Sequence, residues 1–194
     1  MPALRQPVPN YRRNLQPGGT FFFTVVTAHR VPIFKDPSRV ELLQQAVRQT
    51  KRLHPFDMVA WVVLPDHLHM IWTLPPGDAR YDRRWSAIKG NFSRAYLAAG
   101  GTEQPISPGK RHKRRRGVWQ SRYLEHTLRD EDDLEAHVHY IHLNPVKHGH
   151  ADRPTDWPHS SLHTYLTRGL IPPYWNNPAP AVAAQVDATL LDLP

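Results

Sequence analysis

Residues 18–30 read GGTFFFTVVTAHR, a glycine pair followed by an almost unbroken run of aromatic and β-branched residues, which predicts a buried strand. The period then changes. Over residues 36–54, Leu42, Leu43, Ala46, Val47 and Leu53 recur at helical spacing, with Asp36 or Ser38 available as a cap and Pro37 tolerated in the first turn. FDMVAWVVL (56–64) and HLHMIWTL (67–74) read as two more strands, and the Pro65-Asp66 break between them predicts a hairpin. Over residues 78–99, Tyr81, Trp85, Ile88, Phe92, Ala95 and Tyr96 form a helical stripe with arginines elsewhere. A glycine, proline and basic stretch follows at 100–117 and reads as a mobile loop. A fourth strand is expected over 118–129, then a helix over 130–149 that opens on acids and bends or ends near Pro145.

This order is βαββαβ, an α+β fold of ferredoxin-like (RRM-like) type: an antiparallel sheet with helices on one face and an added C-terminal helix carrying Tyr140. The expected divisions are an N-terminal arm at 1–17, one domain at 18–150 with a basic loop at 98–117, and a C-terminal extension at 151–194. Such an architecture serves RNA binding, regulation and catalysis alike, so the choice falls to the side chains.

Charge narrows that choice. The 194 residues carry a formal charge of +8, and of the 25 lysines and arginines twelve fall between Arg80 and Arg122, against two acids there, Asp82 and Glu103. A solvated basic face is the plain explanation; the aromatics Tyr81, Trp85, Phe92, Tyr96 and Trp119 in the same stretch favour nucleic acid, because rings beside cations offer stacking as well as phosphate contacts. There is no cysteine, so disulfides and thiolate metal sites are excluded. No apolar run is long enough to span a membrane and the first residues lack a signal-like apolar core, so the expected location is the bacterial cytoplasm, at the nucleoid.

The segment WVVLPDHLHMIWTL (61–74) sets Asp66, His67 and His69 inside an otherwise apolar run. Residues two apart in a strand share a face, so His67 and His69 form a two-point clamp for a divalent cation, or else a pair of partly buried structural histidines. In the last helix, His137, Tyr140, Asn144 and His148 share a face at about 100° per residue. Laid against the sheet edge bearing the histidines, that face would bring an amide oxygen and a phenol to them; the alternative is a tyrosine packed in the core with its hydroxyl bonded.

WVVLPDHLHMIWTLP, YIHLNPVKHG and DWPHSSLHTYLTRG, in this order, resemble the single-tyrosine transposases of the HUH (His-hydrophobic-His) nuclease superfamily, above all the REP-associated tyrosine transposases. The resemblance spans roughly residues 9–175. It implies that His67, His69 and Asn144 ligate a metal, Mn²⁺ or Mg²⁺, and that Tyr140 is the nucleophile. It further implies a substrate of single-stranded or hairpin DNA with REP-type palindromes, and a monomer acting in cis rather than a homodimer. The basic segment is longer than in that family, and the tail after Trp175 has no counterpart there.

Tyr140 would displace the 3′ oxygen of a scissile phosphate, leaving a 5′-phosphotyrosyl enzyme and a free 3′-OH able to reverse the attack. Glu125, His126 and His137 are candidates to take the phenol proton, and Asp66 to be a turn residue or to orient an imidazole. Arg80, Arg83, Arg84, Lys89 and Arg94 are expected on phosphate, joined by Lys110, Arg111, Lys113, Arg114, Arg115 and Arg116. Competing readings are a replication-initiator or relaxase-like nickase, a non-catalytic nucleic-acid-binding module, and a metal-dependent hydrolase using water.

Overall fold

The structure, a computed structural model, describes residues 15–112 and 115–171. Most of the expected arm, the tail from residue 172, Lys113, Arg114 and the side chain of Lys110 lie outside the described residues. The elements are β1 (Thr20–Val26), α1 (Pro37–Leu53), β2 (Asp57–Val63), β3 (His67–Thr73), α2 (Tyr81–Ala98), α3 (Pro108–His112), β4 (Leu124–Thr127), α4 (Glu131–Lys147) and α5 (Leu162–Thr167). The sheet order is β2-β3-β1-β4 with every pairing antiparallel, the arrangement expected of a βαββαβ chain. Asp36 is the cap of α1, accepting from the Ser38 N–H, with Pro37 in the first turn.

The sheet is apolar on both sides, and this decides the layering. Phe21, Phe23, Val25, Leu68, Met70 and Trp72 pack in one cluster with residues of α1 and α2; Phe22, Ala60, Val62 and Ile71 pack in a second with Val138, Tyr140 and Ile141 of α4. Alternation along each strand sends neighbours to opposite clusters. The expectation of α4 at a sheet edge is therefore corrected: a sheet hydrophobic on both faces needs a helix on each, and α4 lies across the second face against β2 and β3. Pro145 sits inside α4, and the helix ends at Lys147, two residues later.

Two further expectations change. The fourth strand pairs only through Leu124–Thr127, because Trp119, after one bridge to Thr27, turns into the core against Phe34 and Phe92 instead of continuing the ladder. The aromatics assigned to base stacking are core residues: Tyr81, Trp85, Phe92, Tyr96 and Trp119 are all buried, Trp85 stacking on Trp72 with ring centres 4.5 Å apart.

Beyond α4 the chain returns to β2. Val63 N–H donates to the His159 carbonyl at 2.9 Å, Ser161 N–H to the Trp61 carbonyl at 2.9 Å, and the Trp157 indole N–H to the Val63 carbonyl at 2.9 Å. Tyr165 donates to the Val59 carbonyl at 3.0 Å. No helix among the described residues is long and apolar enough to cross a membrane.

Candidate active site

The hairpin between β2 and β3 closes on a hydrogen bond from Leu64 N–H to the His67 carbonyl, and Asp66 is fixed beside it by Thr27, whose N–H donates to the Asp66 carbonyl at 2.9 Å. His67 and His69 then project from β3 on the face shared with Ile71, towards α4, with ring centres 5.1 Å apart. Each imidazole is held by its Nδ1. That of His67 donates to Asp66 Oδ1 at 2.6 Å, and that of His69 lies 2.8 Å from Thr24 Oγ1, its register partner on β1. Both Nε2 atoms are thereby left for another partner, and His69 Nε2 is fully buried with none in the protein.

Asp66 is itself anchored by Arg30, whose guanidinium donates to its other oxygen at 2.9 Å. His29 and Arg30 reach this position through left-handed backbone, φ 54° and 53°, where non-glycine residues are uncommon. Burial opposes ionisation of Asp66, but the hydrogen bond and charge of His67, with Arg30, outweigh it and hold the carboxyl at about 2. Burial pushes His69 well below the ordinary histidine value, reinforced by the nearby charges of His67, His148 and Lys147, so it is a neutral ligand-type imidazole.

From the other side α4, capped by Asp130 and bearing Glu131, Asp132 and Asp133 in its first turn, presents Tyr140 and Asn144. The Tyr140 ring stands edge-on to His69 with centres 5.3 Å apart. Burial raises the phenol to about 12, partly opposed by Asn144. Asn144 is fully buried, and its amide lies near enough to influence both His69 and Tyr140, yet neither amide atom completes a hydrogen bond of ordinary geometry. Lys147 Nζ lies 5.3 Å from the Tyr140 ring centre, and the His148 ring lies 5.3 Å from that of His67. Two imidazole nitrogens and one amide oxygen, two of these groups buried with unmet bonding capacity, suit a divalent cation of the Mn²⁺ or Mg²⁺ kind.

The candidate proton acceptors separate. Glu125 is buried on the opposite side of the sheet, accepting the Tyr81 hydroxyl hydrogen bond at 2.7 Å, so it is removed from the Tyr140 chemistry. His137 lies one turn before Tyr140, its Nδ1 2.8 Å from the Asp133 carbonyl and its ring stacked on His126 at 4.9 Å.

The expected phosphate contacts also separate. Arg84 is buried, its guanidinium bonded to the Pro55 carbonyl and to Asp78 at 2.8 Å; this expectation is corrected, because the arginine ties α2 to the start of β2. Lys89 is largely buried, donating to the Gln120 carbonyl at 2.6 Å, and burial with the charge of Arg115 lowers it to about 8. It lines one wall of an open groove of about 1610 Å³ together with Arg94, Arg111, Arg115 and Arg116. Arg80 is paired with Asp82, and Arg83 is exposed; neither lines the groove. Arg122 joins the lining although sequence reasoning passed over it, as it did Thr24, Arg30 and Lys147.

Residues 19–144 match the family described as IS200-like transposases. The chain is 39% identical over 165 residues to the REP-associated tyrosine transposase of Escherichia coli strain K12, covering 85% of this chain and 89% of that one. It also superimposes on a solved REP-associated tyrosine transposase bound to a REP hairpin, with a TM-score of 0.74 at 38% identity, covering 89% of this chain and 93% of the other.

Proposed function

Because the chain belongs to the IS200-like transposase family, among the REP-associated tyrosine transposases, we propose that it cleaves and rejoins single-stranded or hairpin DNA of REP type through a 5′-phosphotyrosine at Tyr140. The observation that carries this reading is the convergence of the unpartnered His69 Nε2 and Asn144 amide beside the Tyr140 ring. His67, His69 and Asn144 would hold the divalent ion, Mn²⁺ or Mg²⁺, which when bound supplies Lewis-acid polarisation of the scissile phosphate.

The protein side of the chemistry follows from the geometry. Asp66 and Thr24 keep Nδ1 of each imidazole occupied, so that Nε2 faces the reaction. Tyr140 Oη attacks phosphorus in line and gives up its proton to water; the P–O3′ bond breaks and the 3′ oxygen leaves, taking a proton from water to become the 3′-OH that returns as nucleophile in the joining step. Burial makes the phenolate costly, and Lys147 places positive charge over the ring where that charge develops. Tyr140 packs against His69 of its own chain, which supports action in cis by a monomer. The basic groove supports a nucleic-acid strand or stem held by Arg94, Arg111, Arg115 and Arg116, and the solved relative is itself bound to a REP hairpin. A DNA substrate of this kind supports a cytoplasmic location at the nucleoid.

The test is a covalent-adduct assay with labelled hairpin oligonucleotides from repeats flanking the gene, in Mn²⁺ or Mg²⁺, on denaturing gels. A metal-dependent adduct lost in Tyr140→Phe and His67→Ala supports the reading. Cleavage without adduct would assign the nucleophile to water, and tight binding without cleavage in all three proteins would reduce the chain to a binding module.

A further inference from the structure

We propose that His126, Asp133 and His137 form a second divalent-cation site, of the zinc class, that ties β4 to the first half of α4. The ligand atoms of the three side chains all lie within 4.8 Å of one another. Asp133 and His137 are four residues apart on α4 and so share a face, while His126 reaches across from β4. Two imidazole nitrogens converge on one carboxylate: His126 Nε2 lies 3.1 Å from Asp133 Oδ2, and His137 Nδ1 lies 3.1 Å from Asp133 Oδ1. The side chains of Asp133 and His137 are only 8% and 5% exposed, whereas His126 is 40% exposed, so the cluster is walled on the helix side and open on the strand side.

A cation entering from the open side takes the place between these nitrogens and the carboxylate, and each neutral imidazole that binds it carries its proton on the other ring nitrogen. Nitrogen, nitrogen and carboxylate oxygen, with the open side left for water, is a donor set suited to zinc in preference to magnesium. Two existing contacts must yield. Arg129 Nε lies 3.3 Å from Asp133 Oδ2, but that side chain is 75% exposed and free to swing aside, while the Arg129 backbone N–H, which donates to the same oxygen at 3.2 Å, stays bonded to the ligating carboxylate. His137 Nδ1 also lies 2.8 Å from the Asp133 carbonyl, a bond given up on ligation. Phe22 separates this cluster from the catalytic histidines, its ring 4.9 Å from His137 and 5.4 Å from His69, so the two sites are distinct. A cation here would clamp the helix one turn ahead of Tyr140.

The experiment uses the full chain carrying His67→Ala and His69→Ala, which removes the catalytic clamp and makes the outcome independent of it. Titration with Co²⁺, followed by visible absorption and by calorimetry, and then displacement by Zn²⁺, is expected to show one equivalent bound and a raised melting temperature. Adding His126→Gln, or separately Asp133→Asn, is expected to weaken binding at least tenfold, with metal-free melting confirming that each variant is folded. No stoichiometric binding in the His67→Ala/His69→Ala protein, or binding unchanged by both added substitutions, overturns the proposal.

Discussion

Thr24 Oγ1 and His69 Nδ1 lie 2.8 Å apart across the β1–β3 ladder, and this one bond turns the other imidazole nitrogen towards Tyr140. Replacing Thr24 by valine keeps the shape and removes the hydroxyl. The expected result is a loss of about 10–100-fold in Mn²⁺ affinity by calorimetry. Leaving a buried nitrogen unpaired should also lower stability by about 1–3 kcal/mol in denaturant melts. Unchanged metal affinity would mean that Thr24 does not orient the imidazole.

Tyr140→Phe should abolish the covalent adduct while leaving hairpin affinity within about threefold, since the phenol contributes chemistry and the ring contributes packing against Phe22 and His69. A filter-binding titration beside the denaturing gel separates the two. An adduct that persists would transfer the nucleophile elsewhere.

Arg84 and Arg94, ten residues apart on one helix, should behave oppositely. Arg84→Ala leaves Asp78 and the Pro55 carbonyl without their buried cation, and is expected to cost about 3–5 kcal/mol in chemical denaturation. Arg94→Ala, on the exposed groove wall, should alter stability by less than about 0.5 kcal/mol. It should instead flatten the salt dependence of hairpin binding by about one phosphate contact. A stable Arg84→Ala protein with weakened DNA binding would restore the surface role expected from sequence.

His142 is fully buried, its Nε2 2.9 Å from Ser161 Oγ, and burial with the charges of His139 and His163 lowers it to about 3. The unfolded chain takes up this proton near pH 6.5, the folded chain only near 3. Between those values the unfolded state binds more protons, so stability is fully present above pH 6.5 and falls as pH drops, by about 1.4 kcal/mol per pH unit for this one group. His69, His137 and His148 are lowered too and add to the same trend. His142→Gln should flatten the pH–stability curve between 6.5 and 3; an identical slope would show that His142 is protonated in the fold.

The element order, and the neighbours within each half of the candidate site, were legible because they rest on short-range periodicity: a period of two puts His67 beside His69, and i,i+4 puts Tyr140 beside Asn144. The roles expected of them rested on the family resemblance. What was not legible depends on pairing across the sheet. Nothing near Thr24 in the chain announces His69, and only the register brings them together. The same holds for Arg30 and Asp66. Arg84 misled because an arginine on an amphipathic helix reads as surface, and burial of its guanidinium depends on a carbonyl 29 residues away. Trp119 and the rings of α2 misled for a related reason: aromatics among cations look like a stacking platform until the core is seen to need them.

A four-stranded sheet has two margins at which a foreign strand could add itself, bond by bond. The return of residues 157–165 along β2 takes up main-chain groups of Val59, Trp61 and Val63 that such an intruder would use. The opposite margin, β4, offers only four residues. The stretch after α4 therefore works as a guard rail: loss of it would leave an apolar, unpaired strand edge open to self-association, even with every residue around Tyr140 intact.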